Sequence, residues 1–136
     1  IIMTKKTKNQ TKLYSFDIPL YPRKLWVVIG DDFKVIYDKF LRCGKPLDVP
    51  TNVFDALTLG NINDDKRDAG IIIWLPILKN VTHGIIAHES LHALDYVMYD
   101  IHEDPHDYEN NNERDCYLLE WIVDTVENCV TKYKKK

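Results

Sequence analysis

Apolar residues along this chain change their spacing several times, and each spacing predicts a different element. Leu25-Trp26-Val27-Val28-Ile29 is a continuous apolar run rich in β-branched residues and closed by Gly30 and Asp31-Asp32, so it reads as a strand. Beyond it Phe33, Ile36, Tyr37, Phe40 and Leu41 recur at helical spacing. They predict an amphipathic helix to about Arg42, with Gly44 and Pro46 as its stop. Val53 to Leu59 reads as a second strand, the Asn/Asp-rich stretch Gly60 to Asp68 as a turn, and Gly70 to Leu75 as a third strand ended by Pro76. The middle of the chain is therefore expected to be a hairpin. Thr82 to Tyr99 is helical in pattern, with Thr82 or Asn80 as the N-cap and Ala87, Leu91, Leu94 and Met98 as one apolar stripe. A polar, acidic connection from Asp100 to Asn112 leads to a last helix whose stripe is Cys116, Leu119, Val123, Val126 and Val130. Strands followed by two helices predict the α+β class.

Length and composition narrow the picture. With 136 residues, 45% of them hydrophobic, the chain is the size of one domain with its own core. Residues 1–12 and 131–136, where lysines gather, are expected to be frayed basic tails on this single domain 1–136. A net charge of -3 gives no broad basic field, so nucleic acid is not an expected partner. Cys43, Cys116 and Cys129 are odd in number and far from a Cys-x-x-Cys spacing, which suits a reducing compartment. No apolar run approaches the roughly 20 residues that span a bilayer, and the stretch Ile1 to Lys6 lacks the apolar core of a signal peptide. A cytosolic protein without a membrane partner is the expectation.

The chemistry concentrates in His88-Glu89-Ser90-Leu91-His92. At roughly 100° of rotation per residue, the two histidines lie one turn apart on one helix face, where two imidazoles converge on one zinc ion. Glu89 is turned by about 100° from His88, beside the metal without being a ligand, as a general base must be. Apolar flanks, Ile85-Ile86-Ala87 and Ala93-Leu94, place the run on a helix packed into a core. A catalytic zinc takes three protein ligands and leaves a fourth position open. Position 98, six residues after His92, is a methionine, so a closely spaced three-histidine site is absent. His102, His106, Glu109, Glu113 and Asp115 are the downstream candidates. Glu113 leads them, because it opens the last helix on the polar side, with Tyr117, Glu120 and Asp124, after a connection long enough to turn the chain back. His102 or His106 is next. Asp95 and Tyr99 share the histidine face, and His83 reads as a loop histidine.

The run Gly84 to Ala93, followed after an acidic loop by Asn112-Glu113-Arg114-Asp115-Cys116-Tyr117-Leu118-Leu119-Glu120-Trp121, resembles small phage-encoded zincin metallopeptidases of the gluzincin type. That resemblance covers roughly the last 50 residues. It implies a minimal zincin-like fold, a small sheet packed on an active-site helix followed by a helix carrying the third ligand. It also implies one zinc held by His88, His92 and Glu113, Glu89 as base, and a protein or peptide substrate in a bacterial host cytosol. Gly70 to Leu75 would be the sheet edge that receives the substrate. Cys116 stands where the family pattern has alanine. The competing expectation is a zinc-containing binding or virion-associated module of the same fold, without hydrolysis; the presence of Glu89 weighs against it, since a structural site has no use for a base.

Overall fold

Leu25 to Ile29 forms the expected strand, and its unbroken hydrophobicity has a cause: both faces are covered. The computed structural model describes residues 10–48, 54–104 and 112–135. Its elements are β1 (Lys12–Asp17), β2 (Lys24–Ile29), α1 (Lys34–Tyr37), β3 (Phe40–Arg42), β4 (Lys45–Pro46), β5 (Leu57–Asp64), β6 (Ala69–Leu75), a 3₁₀ turn (Leu78–Asn80), α2 (His83–Asp100) and α3 (Glu113–Lys134). The strands make one mixed sheet in the order β1-β2-β6-β5-β3-β4, in which only β2 and β6 run parallel. The α+β class is thus as expected. On one sheet face Leu25, Val27, Ile29, Ile71, Ile73 and Leu75 meet both long helices. On the other, Trp26, Val28, Ile72 and Trp74 join Ile36, Phe40 and Ile62 in a second core.

The helix expected from Phe33 to Arg42 is a single turn, α1, followed by a strand. Phe40 is fully buried, with its ring edge-on to Trp26 at 4.8 Å, and the chain around it pairs with β5. Cys43 (φ 51) and Gly44 (φ 75) are the two central residues of the β3–β4 hairpin. Positive φ at both is the turn that matches strand twist, so Gly44 closes a hairpin and does not stop a helix. The second strand lies later than expected. Val53 is outside the described residues, and β5 runs through most of the supposed turn, from Leu57 to Asp64. The reversal falls just beyond, where Asp64 Oδ1 accepts from the amides of Lys66 (3.0 Å) and Asp68 (2.8 Å). Its partner β6 is where Gly70 to Leu75 predicted it.

Both long helices exist, but each is rotated about its axis from the expected stripe. α2 buries Ile86, Ser90, Ala93, Leu94, Val97 and Met98, while Ala87 and Leu91 are exposed. α3 buries Leu118, Ile122, Val126 and Cys129, while Cys116 is exposed. Val97 and Ile122 lose all contact with water, which stabilises the packing of these helices on the sheet by about 1.5–3 kcal/mol each. Where the expected tails are described, they include residues of regular elements. Lys12 opens β1, and α3 continues through residues 131–134, where buried Tyr133 donates its hydroxyl to the Gln10 carbonyl at 3.1 Å. Residues 1–9 lie outside the described part. No described helix is long and apolar enough to cross a membrane.

Candidate metal centre

Thr82 starts α2 by accepting the Ile85 amide on its hydroxyl at 3.1 Å, which satisfies one of the unpaired donors of the first turn. His83 is the first helical residue, not a loop residue as its position suggested, and its Nδ1 lies 2.5 Å from Glu127 Oε1 on α3. The helix ends in a Schellman motif, with Glu103 N–H on the Met98 carbonyl (2.9 Å) and His102 N–H on that of Tyr99 (3.1 Å). His102 therefore holds the left-handed position after the cap, at φ 60. Its placement follows from ending the helix.

With both ends fixed, the buried stripe of α2 leaves His88 and His92 on the exposed flank. Their Nε2 atoms are 3.2 Å apart and their rings 4.8 Å apart at 76°. Two nitrogens bound to one tetrahedral zinc at about 2.05 Å would be about 3.3 Å apart, so this pair has the spacing the ion requires. Glu89 sits at the border between that flank and the core. Its side chain is 9% exposed against 67% for His88, and Oε1 lies 4.0 Å from His88 Nε2. The carboxylate is thus beside the pair but sheltered from bulk water.

The shelter comes from β5. Thr58 Oγ1 is within reach of the Glu89 backbone carbonyl, at 3.1 Å, and makes a short hydrogen bond to its carboxylate. Sequence reasoning missed Thr58, and no local signal marks it: it stands 31 positions earlier, in a strand. β6 was expected at the substrate edge and is instead interior, paired with β2 on one side and β5 on the other. The strand beside the site is β5. There β3 pairs only with Ile62 to Asp64, and no described strand pairs with Leu57 to Asn61 on the side away from β6.

The remaining candidates are placed differently. Among the described residues no third His, Cys, Asp or Glu joins the histidines in a metal-holding group. Glu113 lies in the first turn of α3 and is exposed, as are Tyr117, Glu120 and Asp124 on the same stripe. The inward carboxylate of that turn is Asp115, 5% exposed, which accepts from Arg114 Nε at 3.1 Å. His106 and Glu109 are outside the described residues. Asp95 and Tyr99 line a cavity that begins at His92. Comparison with known proteins gives no match to a family model, a curated protein or a solved structure.

Proposed function

We propose that this protein is a zinc-dependent peptidase in which His88 and His92 hold the ion, Glu113 completes the site and Glu89 is the general base. The supporting observation is the pair of imidazole nitrogens 3.2 Å apart with a sheltered carboxylate alongside. Zinc supplies Lewis acidity, lowering the pKa of a water to about 7 and polarising a carbonyl oxygen. Glu89 takes a proton from the attacking water as the new carbon–oxygen bond forms, and gives it to the amine nitrogen as the carbon–nitrogen bond breaks. Thr58 keeps the carboxylate aimed while it does so. A buried base favours this reading over a zinc module that only binds, because a structural site gains nothing from it. The role given to Glu113 rests on the resemblance: this residue opens α3, which packs on α2, and lies on the exposed side of that helix. A bacterial host cytosol as the place of this activity is part of the same proposal and rests on the resemblance to phage zincins alone.

Elemental analysis of protein from zinc-replete medium tests the centre, with about one zinc per chain expected. His88→Ala and His92→Ala should lose the ion, and Glu113→Gln should weaken its binding by 10-fold or more. Glu89→Gln should keep the zinc and lose hydrolysis of a peptide library. Wild-type protein without transition metal refutes the centre, and loss of zinc in Glu89→Gln would make Glu89 a ligand instead.

A further inference from the structure

The outer edge of a β-sheet presents a row of backbone donors and acceptors with no strand to satisfy them. This sheet ends at β4 on one side and at β1 on the other, and no described strand pairs with the outer side of either. β4 is guarded against further pairing: it has two residues, and one of them is Pro46. The free stretch of β5 is broken by a register shift between Leu59 and Ile62, a bulge of the kind that ends a ladder. β1 has neither device. Its six residues, Lys12 to Asp17, pair with β2 in one unshifted register, and the four inner ones, Leu13, Tyr14, Ser15 and Phe16, include no charge and no proline.

Backbone bonding fixes which groups of β1 face outward. Ile18 N–H donates to the Arg23 carbonyl at 3.0 Å, one step beyond the pairing of Asp17 with Lys24. Inward-bonding residues alternate along an antiparallel strand, so Tyr14 and Phe16 bond to β2 while Leu13, Ser15 and Asp17 turn their N–H and C=O groups away from it. A second copy of β1, running antiparallel about a two-fold axis at Ser15, meets all three: Ser15 pairs with its own counterpart and Leu13 with Asp17. That direction also brings the Lys12 end of one copy to the Asp17 end of the other, whereas parallel pairing would set like charges together. In this register Tyr14 of one copy stands opposite Phe16 of the other, on the sheet face that carries α3. Beside Phe16 that face has a cavity of about 320 Å³, lined on α3 by Thr125, Asn128, Cys129 and Lys132. A tyrosine ring would find there an apolar wall for its body and polar partners for its hydroxyl. We propose that β1 is a dimerisation edge, which joins two copies through one continuous sheet and seats Tyr14 of each copy between Phe16 and α3 of the other.

Sedimentation equilibrium of the full chain in EDTA, which keeps metal from bridging copies, reads the association directly. The weight-average mass should rise from 16.0 kDa toward twice that value between about 5 and 500 µM. Ser15→Lys puts two like charges across the axis, and Ser15→Pro removes the central outward N–H while leaving the bonds to β2. Each should weaken association by about tenfold or more with an unchanged far-UV spectrum. Should Ser15→Pro not fold, Ser15→Lys carries the test, because Ser15 is exposed. Mixing Ser15→Lys with Ser15→Asp should restore the dimer, as the pairing of position 15 with itself requires. The Ser15 amide of the wild type should exchange slowly with deuterium at the high concentration and fast at the low one. A mass that stays at 16.0 kDa, or a Ser15→Lys protein that associates within about twofold of the wild type, overturns the proposal. So does a Ser15 amide that is protected in the monomer, since the edge would then be covered from within the chain.

Discussion

Thr58→Val isolates the contact that joins β5 to the helix of the candidate site. Valine keeps the shape of threonine and removes only the hydroxyl, which in the wild type serves the Glu89 carboxylate and reaches its backbone carbonyl at 3.1 Å. A hydrogen bond to a charged group contributes about 1.5–3 kcal/mol net. Thr58 is only half-buried, so solvent can partly replace it and the lower end applies, about 1.5 kcal/mol. For a chain of this length each kcal/mol moves Tm by about 3–5 °C, which gives a fall of about 6 °C. The measurement is thermal unfolding in EDTA, where zinc binding adds nothing to the folded state. A double-mutant cycle with Glu89→Leu should show the two changes non-additive by about 1 kcal/mol. A Thr58→Val protein melting within about 1 °C of wild type, or an additive cycle, would refute the coupling of β5 to Glu89.

Gly60→Ala should destabilise the fold by about 1–3 kcal/mol through overpacking. The added Cβ would lie 2.1 Å from Tyr96 Cδ1 and 2.4 Å from Cγ, an atom too near the helix backbone to swing away. A lowered urea midpoint at unchanged slope checks it, and Tyr96→Ala in the same chain should remove most of the penalty. Iodoacetamide at pH 8 should modify exposed Cys43 and Cys116 in the folded protein and spare Cys129, whose thiol burial pushes up to about 11. Mass spectrometry showing three labels would contradict this. Since the Cys129 thiol has its ordinary value of 9.0 when unfolded, the unfolded chain releases that proton first. Its contribution to stability should be intact below pH 9 and lost as pH rises through about 11, an alkaline loss that Cys129→Ala would abolish.

What the chain declares by itself is what depends on neighbours in sequence. The β-branched runs around Val27 and Ile72, the Thr82 cap and the i, i+4 histidines are local patterns, and all are found where those patterns put them. The pair His88 and His92 needs only helix geometry to converge. Elsewhere two patterns fitted one stretch and packing chose. Phe33 to Leu41 has helical spacing, yet Phe40 gains more in the second core as part of a strand. In α3, Leu118, Leu119, Ile122, Val123 and Val126 offer two overlapping apolar faces, and only the position of the sheet decides that Leu118 and Ile122 go in and Cys116 stays out. That choice turns Asp115 inward and Glu113 outward. Strand order is likewise a property of the whole sheet: placing β6 in the interior makes β5 the neighbour of α2, and so sets Thr58 on Glu89 and Asn61 beside His92. These contacts join residues about 30 apart in the chain, and no periodicity within an element reports them, because they arise only when separate elements compete for the same buried space.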